Sequence, residues 1–344
     1  MSWFQHLSPM QQFLLVSAIK IVCVFALVMP AVAYSVLAER KVSAFIQDRR
    51  GPNRVGPFGI WQPLADGVKA FLKEDFVPAH VRKAYFWLAP MVSMTPALMV
   101  LAVIPFGSQL GGEKMVIADL NVGILYTFGI VSLGVYGIVL AGYASNSKYP
   151  FLGGIRSSAQ MISYEIAMGM SVIPVFLFVG DLNLTQVIEF QARHGWLILY
   201  APLSFVIFVI SAFAETNRLP FDLPESEQEL VGGYHTEYSS MKFALFFMGE
   251  YANMIAASAM MVTLFLGGWT LPGLTHPANS IVLGLVHIII FMAKVAALMG
   301  MFIWVRWMWP RFRYDQLMDL GWRTFLPLAL ANIVVTALCI WLAA

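Results

Sequence analysis

Four ionisable residues, Lys20, Glu165, Glu250 and Lys294, stand inside or beside long apolar stretches of the chain. A charge in a lipid core is costly to hold, so such a residue defaults to a functional hypothesis. Glu165 follows Tyr164 and precedes Gly169 and Pro174, where a helix backbone can open. Glu250 shares its stretch with Phe246, Phe247 and Asn253. Those offsets of three and four put an acid, an amide and two rings on one helical face. Lys294 lies seven residues from His287, again on one face. Buried acids and an amine of this kind suit proton or ion exchange. The competing reading for Glu165, Glu250 and Lys294 is a buried ion pair of structural value alone. Lys20, near one end of a long apolar block, reads as a snorkelling side chain. His287 reads as an interhelical hydrogen bonder rather than a ligand.

A second group of candidates lies between Glu215 and Ser240. Six acids (Glu215, Asp222, Glu225, Glu227, Glu229 and Glu237) face one cation, Arg218, for a local charge of −5. Acid runs usually mark a solvated face. Here Leu219, Phe221, Leu223, Leu230 and Val231 are interleaved with the acids, and Pro220, Pro224 and Gly232-Gly233 interrupt any regular helix. This composition predicts a loop folded back onto protein. Carboxylates crowded into a restricted volume cannot all ionise easily, so some are expected to exchange protons near neutral pH.

The elements that position these groups follow from composition. Of 344 residues, 59% are hydrophobic and only 12% charged, against roughly 25% charged in a soluble domain. The apolar residues fall in eight blocks, approximately 13–38, 85–105, 122–144, 161–180, 196–214, 241–268, 281–305 and 325–343. A helix needs about 20 residues to cross a bilayer. The expectation is an all-α polytopic membrane protein, one transmembrane domain over residues 1–344, with eight transmembrane helices and structured cytoplasmic loops. The first block, 26 residues long, would reach about 39 Å and is expected to tilt or project. Lys and Arg number sixteen in the first, third, fifth and seventh loops and two in the other loops. The odd loops are therefore expected in the cytoplasm and both termini outside. The long first loop, 39–84, joins a turn-rich piece, Arg49 to Pro57, to a helical piece with Leu64, Val68, Phe71 and Leu72 on one stripe. That pattern suits a short helix lying at the membrane surface.

Several classes are excluded. Cys23 and Cys339 lie in separate apolar blocks and form no CxxC pair, so no four-thiolate iron–sulfur site or zinc ribbon is expected, and both read as small buried apolar residues. No GxGxxG or P-loop pattern occurs, no metal site is expected, and no basic patch interleaved with aromatics suggests nucleic acid. The N-terminus has neither a basic n-region nor an A-x-A site, so the first block reads as a retained span.

At the loops the sequence resembles one family. Glu39-Arg40-Lys41, Arg49-Arg50-Gly51-Pro52-Asn53-Arg54-Val55-Gly56-Pro57 and Gln62-Pro63-Leu64-Ala65-Asp66 are similar to the complex I membrane protein called NADH dehydrogenase subunit one, known in bacteria as the H subunit. So are Ile162-Ser163-Tyr164-Glu165, the run from Ala214 to Leu223, Glu225 to Val231, Phe246 to Tyr251, and Pro310 to Leu317. The resemblance covers essentially the whole chain. It implies a component of an H+-translocating NADH:quinone oxidoreductase that carries no redox cofactor itself. NAD, FMN and Fe–S clusters would sit on partner subunits. The implied partners are hydrophilic quinone-module subunits, small and antiporter-like membrane subunits, the lipid bilayer, and quinone (ubiquinone or menaquinone) as substrate. The resemblance implies chamber or access positions at Arg40, Asp66, Phe246, Phe247 and Arg306. It implies an acid path at Glu165, Glu215, Glu227 and Glu250, to which the local charge adds Asp222, Glu225, Glu229 and Lys294. The implied location is a bacterial plasma (inner) membrane. A homologous component of a membrane-bound hydrogenase or other non-NADH dehydrogenase complex, a free-standing secondary ion transporter and a passive anchor remain the alternatives.

Overall fold

The computed structural model describes residues 8–224, 230–273 and 280–343. Glu225, Glu227 and Glu229 lie outside the described residues. Helix α1, Pro9–Ile46, runs for 38 residues, about 57 Å at 1.5 Å per residue. Ser8 caps it in a box with Gln11, and Pro9 takes the first turn, where its missing N–H costs nothing. A short helix, α2 (Gln62–Leu72), follows, and none of its residues is buried. Leu64, Val68, Phe71 and Leu72 are all exposed along it, as the stripe predicts for a helix at a membrane surface.

The long helices come next: α3 (Lys83–Met99), α4 (Gly123–Ala144) and α5 (Lys148–Val179). Between α3 and α4 lies a small antiparallel hairpin, Gln109–Leu110 with Glu113–Lys114. Helix α6 (Leu184–His194), a single turn α7 (Leu197–Tyr200) and α8 (Pro202–Glu215) precede the fifth loop. The chain then forms α9 (Ser240–Phe265), α10 (Ile281–Met308), α11 (Tyr314–Asp319), a π-helical turn at Leu320–Phe325, and α12 (Leu326–Ala343).

Among the described residues seven segments are long and apolar enough to cross a membrane. The fifth of the eight expected blocks is the exception. Pro202 cannot continue the helix begun at Leu197, so Ala201 takes a non-helical conformation and α8 starts afresh with 14 residues. That is about 21 Å of helix, short of the roughly 30 Å hydrocarbon core. The all-α polytopic architecture holds.

Neighbouring helices pack α3 on α4, α4 on α5, α5 on α8 and α12, and α9 on α3. Glycine makes the closest approaches possible. A Cβ on Gly137 of α4 would stand 2.6 Å from the Ser93 backbone nitrogen of α3, and one on Gly153 of α5 would stand 2.8 Å from the Tyr234 nitrogen of the fifth loop. The loops sort to two ends. At one, Asn146 of the third loop donates to the His80 carbonyl of the first, at 3.1 Å, and Arg311 of the seventh pairs with Asp222 of the fifth at 3.0 Å. At the other, Asn183 of the fourth loop donates to Asp119 of the second at 2.9 Å. Cys23 and Cys339 are exposed, which corrects the expectation of burial. In a span that faces lipid an apolar side chain gains its environment from the bilayer and needs no protein cover. Lys20 does not merely snorkel: it lies 3.6 Å from Glu113 of the hairpin.

Candidate functional site

Among the described residues the densest buried charge lies at the odd-loop end, around Glu39. Helix α1 presents Val28, Val32, Glu39 and Ser43 to the protein interior, all buried and spaced by four, seven and four, one helical face. The Glu39 side chain is 7% exposed. Both its oxygens accept from Arg218 Nη1 at 3.1 Å, and the Tyr251 hydroxyl donates to Oε2 at 2.6 Å. Arg306 of α10 contacts Oε1. Arg218 reaches on through Nε to Glu250 at 2.5 Å, with its guanidinium 4.4 Å from the Tyr251 ring centre. The network draws on α1, the fifth loop, α9 and α10. It sets two carboxylates against two guanidiniums, the balance a buried ionic cluster needs.

A cavity of about 400 Å³ opens beside this network, lined among others by Glu39, Arg40, Arg49, Phe247, Tyr251 and Arg306. Arg40 is held outward by Asp66 at 2.7 Å, and Asp66 is fixed on α2 by Gln62 at 3.0 Å. The first loop thus ties its surface helix to Arg40 of the cavity wall. Phe247 lines it. Phe246 does not: it is buried against Tyr234 and Tyr238, with ring centres 5.5 and 5.0 Å away. Phe246 and Phe247 are consecutive, about 100° apart around the helix, so one turns to the bundle and the other to the cavity.

The fifth loop is folded onto the bundle, with Phe221, Leu223 and Leu230 buried, while Val231 is exposed. Gln160 of α5 ties it down, donating to the carbonyls of Ala214 at 2.7 Å and Phe221 at 2.9 Å. Asp222 pairs with Arg311.

Deeper in the bundle the other acids separate from the first cluster. Glu165 on α5 meets the Ser132 hydroxyl of α4. Glu215, at the end of α8, is close enough to Glu165 for the two charges to repel. It borders a cavity of about 40 Å³ together with Thr127, Thr216 and Asn253. Asn253 therefore goes with Glu215, although it shares a helix with Glu250. Lys294 is not brought to Glu250. Its ammonium is bonded to the carbonyls of Leu266, Gly268 and Thr270 at 2.6, 3.0 and 2.6 Å, and lies 4.7 Å from the Trp196 ring centre. It sits just beyond the C-terminal end of α9, where the turn that follows the helix aims its carbonyls at the cation. His287 Nδ1 is 2.8 Å from the Ser108 hydroxyl, and its ring faces Trp269 at 4.6 Å. Among the described residues no group of three His, Cys, Asp or Glu could hold a metal ion.

Glu39, Arg218, Tyr251 and Ser132 were not singled out by the sequence as site residues. For Glu39 a signal existed, an acid in register with Val28 and Val32. For Ser132 none did, because a serine in an apolar helix usually bonds its own backbone.

Fold and site define a polytopic α-helical membrane protein. It gathers a buried ionic network and an arginine-lined cavity at one end of the bundle, with further acids set between the helices. The family described as NADH dehydrogenase matches residues 19–337. The chain is 48% identical to the NADH-quinone oxidoreductase H subunit numbered 1 in Cytophaga hutchinsonii over 336 residues, 96% of this chain and 98% of that one. It is 52% identical over 315 residues to the H subunit of NADH-quinone oxidoreductase in Rhodospirillum rubrum, covering 91% of each. It is also 52% identical over 315 residues to NADH-quinone oxidoreductase subunit 8 of Rhodothermus marinus, 88% of this chain and 91% of the relative. The chain belongs to the NADH dehydrogenase family.

Proposed function

We propose that this chain is the quinone-chamber subunit of a proton-translocating NADH:quinone oxidoreductase, joining quinone reduction to proton movement in the membrane. The observation that carries the reading is the Glu39–Arg218–Glu250–Arg306 network at the wall of a cavity that also holds Phe247 and Tyr251. An isoprenoid quinone has an apolar tail and a headgroup with two carbonyl acceptors. Aromatic walls suit the tail, and guanidinium donors suit the carbonyls. Arg40, Asp66, Phe247 and Arg306 are the chamber and access positions, and Phe246 supports the wall from behind. Reduction to quinol takes up two electrons and two protons and leaves the headgroup neutral, so any charge change falls on the groups that give up the protons. Glu165, Glu215 and Glu250, with Asp222, Glu225, Glu227 and Glu229 of the fifth loop, form the acid set that responds. NAD, FMN and iron–sulfur clusters belong to partner subunits, among them hydrophilic quinone-module subunits and small and antiporter-like membrane subunits.

The odd loops face the cytoplasm of a bacterial plasma membrane and both termini face outside, a reading supported by the sixteen-to-two distribution of Lys and Arg. An impermeant thiol reagent on right-side-out vesicles tests the orientation. A cysteine placed in the fifth loop of a Cys-free variant should stay unlabelled, and labelling there would reverse the assignment. The site itself is tested with Arg40→Ala and Asp66→Ala in assembled complex. Quinone reduction should fall while electron transfer from NADH to a soluble acceptor stays nearly intact. If both activities fall together, the first loop has another role.

A further inference from the structure

Ser132 lies midway along α4, and its hydroxyl touches two acceptors. Oγ is 2.9 Å from the Phe128 carbonyl one turn back and also contacts Glu165 Oε1 on α5. A serine hydroxyl has one proton and can donate to one of them at a time, while its oxygen can still accept. The Phe128 carbonyl, inside α4, has a helical N–H in either case. The two arrangements therefore match the two protonation states of Glu165. When Glu165 is ionised, Ser132 donates to the carboxylate. When Glu165 is protonated, its O–H donates to Ser132 Oγ, and Ser132 turns to the Phe128 carbonyl. Neither state strands a part-buried polar group, which would be the usual penalty for changing charge inside a bundle.

The surroundings give this alternation a use. Glu215 stands close enough to Glu165 for the two side chains to interact, and Ser132 meets the Glu165 carboxyl from the neighbouring helix. The small cavity bordered by Glu215 is walled on the α4 side by Phe128 and Val131, the near neighbours of Ser132. We propose that Ser132 is a positioning residue for proton exchange at Glu165, a two-position hydroxyl that serves the carboxyl in both its charged and its neutral form. The proposal rests on the reading of Glu165 as a coupling acid.

The test uses Ser132→Ala and Ser132→Thr in the whole complex, with Glu165→Gln in parallel. Infrared difference spectra between the oxidised and quinol-reduced complex are recorded beside the rate of quinone reduction. Glu165→Gln should remove a protonated-carboxyl C=O band. Ser132→Ala should shift that band and slow turnover roughly tenfold, the worth of a hydrogen bond to a charged group. Ser132→Thr, which keeps the hydroxyl, should return both toward wild type. An assembled Ser132→Ala complex with unchanged band and rate overturns the proposal. A threonine variant as impaired as the alanine one does the same, because side-chain volume and not the hydroxyl would then matter. If Glu165→Gln turns over normally, the coupling reading fails, and the band position in Ser132→Ala still decides the hydrogen bond.

Discussion

Replacing Glu39 by Gln keeps the shape of the side chain and removes one of the two acids in the buried network. At 3.1 Å from Arg218 and an effective dielectric of about 20, the lost attraction is about 5 kcal/mol. Much of that only offsets the desolvation of the two ions. What decides the outcome is the charge left behind. Glu250 can still neutralise Arg218, but Arg306 loses its carboxylate, and Tyr251 loses an ionised acceptor. Removing one partner of a buried pair costs about 3–5 kcal/mol, a large share of a stability of roughly 5–15 kcal/mol. The expected result is a clear drop in Tm of the purified complex, with loss of quinone reduction and retention of NADH oxidation by a soluble acceptor. The double variant Glu39→Gln with Arg306→Gln restores the balance and should be more stable than Glu39→Gln alone. Asp315→Asn serves as the contrast. Its pair with Arg313 is 63% and 75% exposed, and water screens exposed pairs so well that no measurable change in Tm is expected. An assembled Glu39→Gln complex with wild-type Tm and full quinone reduction would refute the argument.

Lys294→Met should lower Tm, since the Leu266, Gly268 and Thr270 carbonyls would lose their donor at about 1–3 kcal/mol for each group left unserved. The ratio of protons moved to quinone reduced should stay unchanged, because backbone carbonyls cannot take a proton from the amine. Loss of pumping at unchanged Tm would show that Lys294 carries protons after all. Asp119 ties the second loop to the fourth. Burial pushes its carboxyl up, but the donors Lys114, Asn183 and Thr185 outweigh this and hold it below its ordinary 3.8. A depressed folded value means the clasp stabilises above the ordinary value and weakens as pH falls through the lower folded one. Protease cleavage of the second loop should therefore rise in acid for the native chain and be pH-insensitive in Asp119→Asn. The same acid sensitivity in both proteins would remove Asp119 as the cause.

The membrane class, the helices between the loops and the surface helix were legible in the sequence because each depends on local composition. About twenty apolar residues cross a bilayer whatever surrounds them, and the stripe of Leu64, Val68, Phe71 and Leu72 marks its face without help. The back-folded fifth loop was legible for a similar reason, since Phe221, Leu223 and Leu230 could not sit among acids in free solvent. The break at Ala201 was visible as Pro202, but an apolar run on both sides masked it.

What tertiary structure alone decided was partnership. Glu39 and Arg218 stand 179 residues apart, and nothing near either names the other. The sequence could not say whether Lys294 meets Glu250, and the lysine ends among carbonyls beyond α9 and the acid on an arginine from a loop. Within a membrane span, apolar residues that face lipid and those that face protein are written in the same amino acids. The sequence by itself therefore determined which stretches are apolar enough for a membrane, all but the one broken at Ala201, and helix packing decided which way each residue faces and which charge it meets.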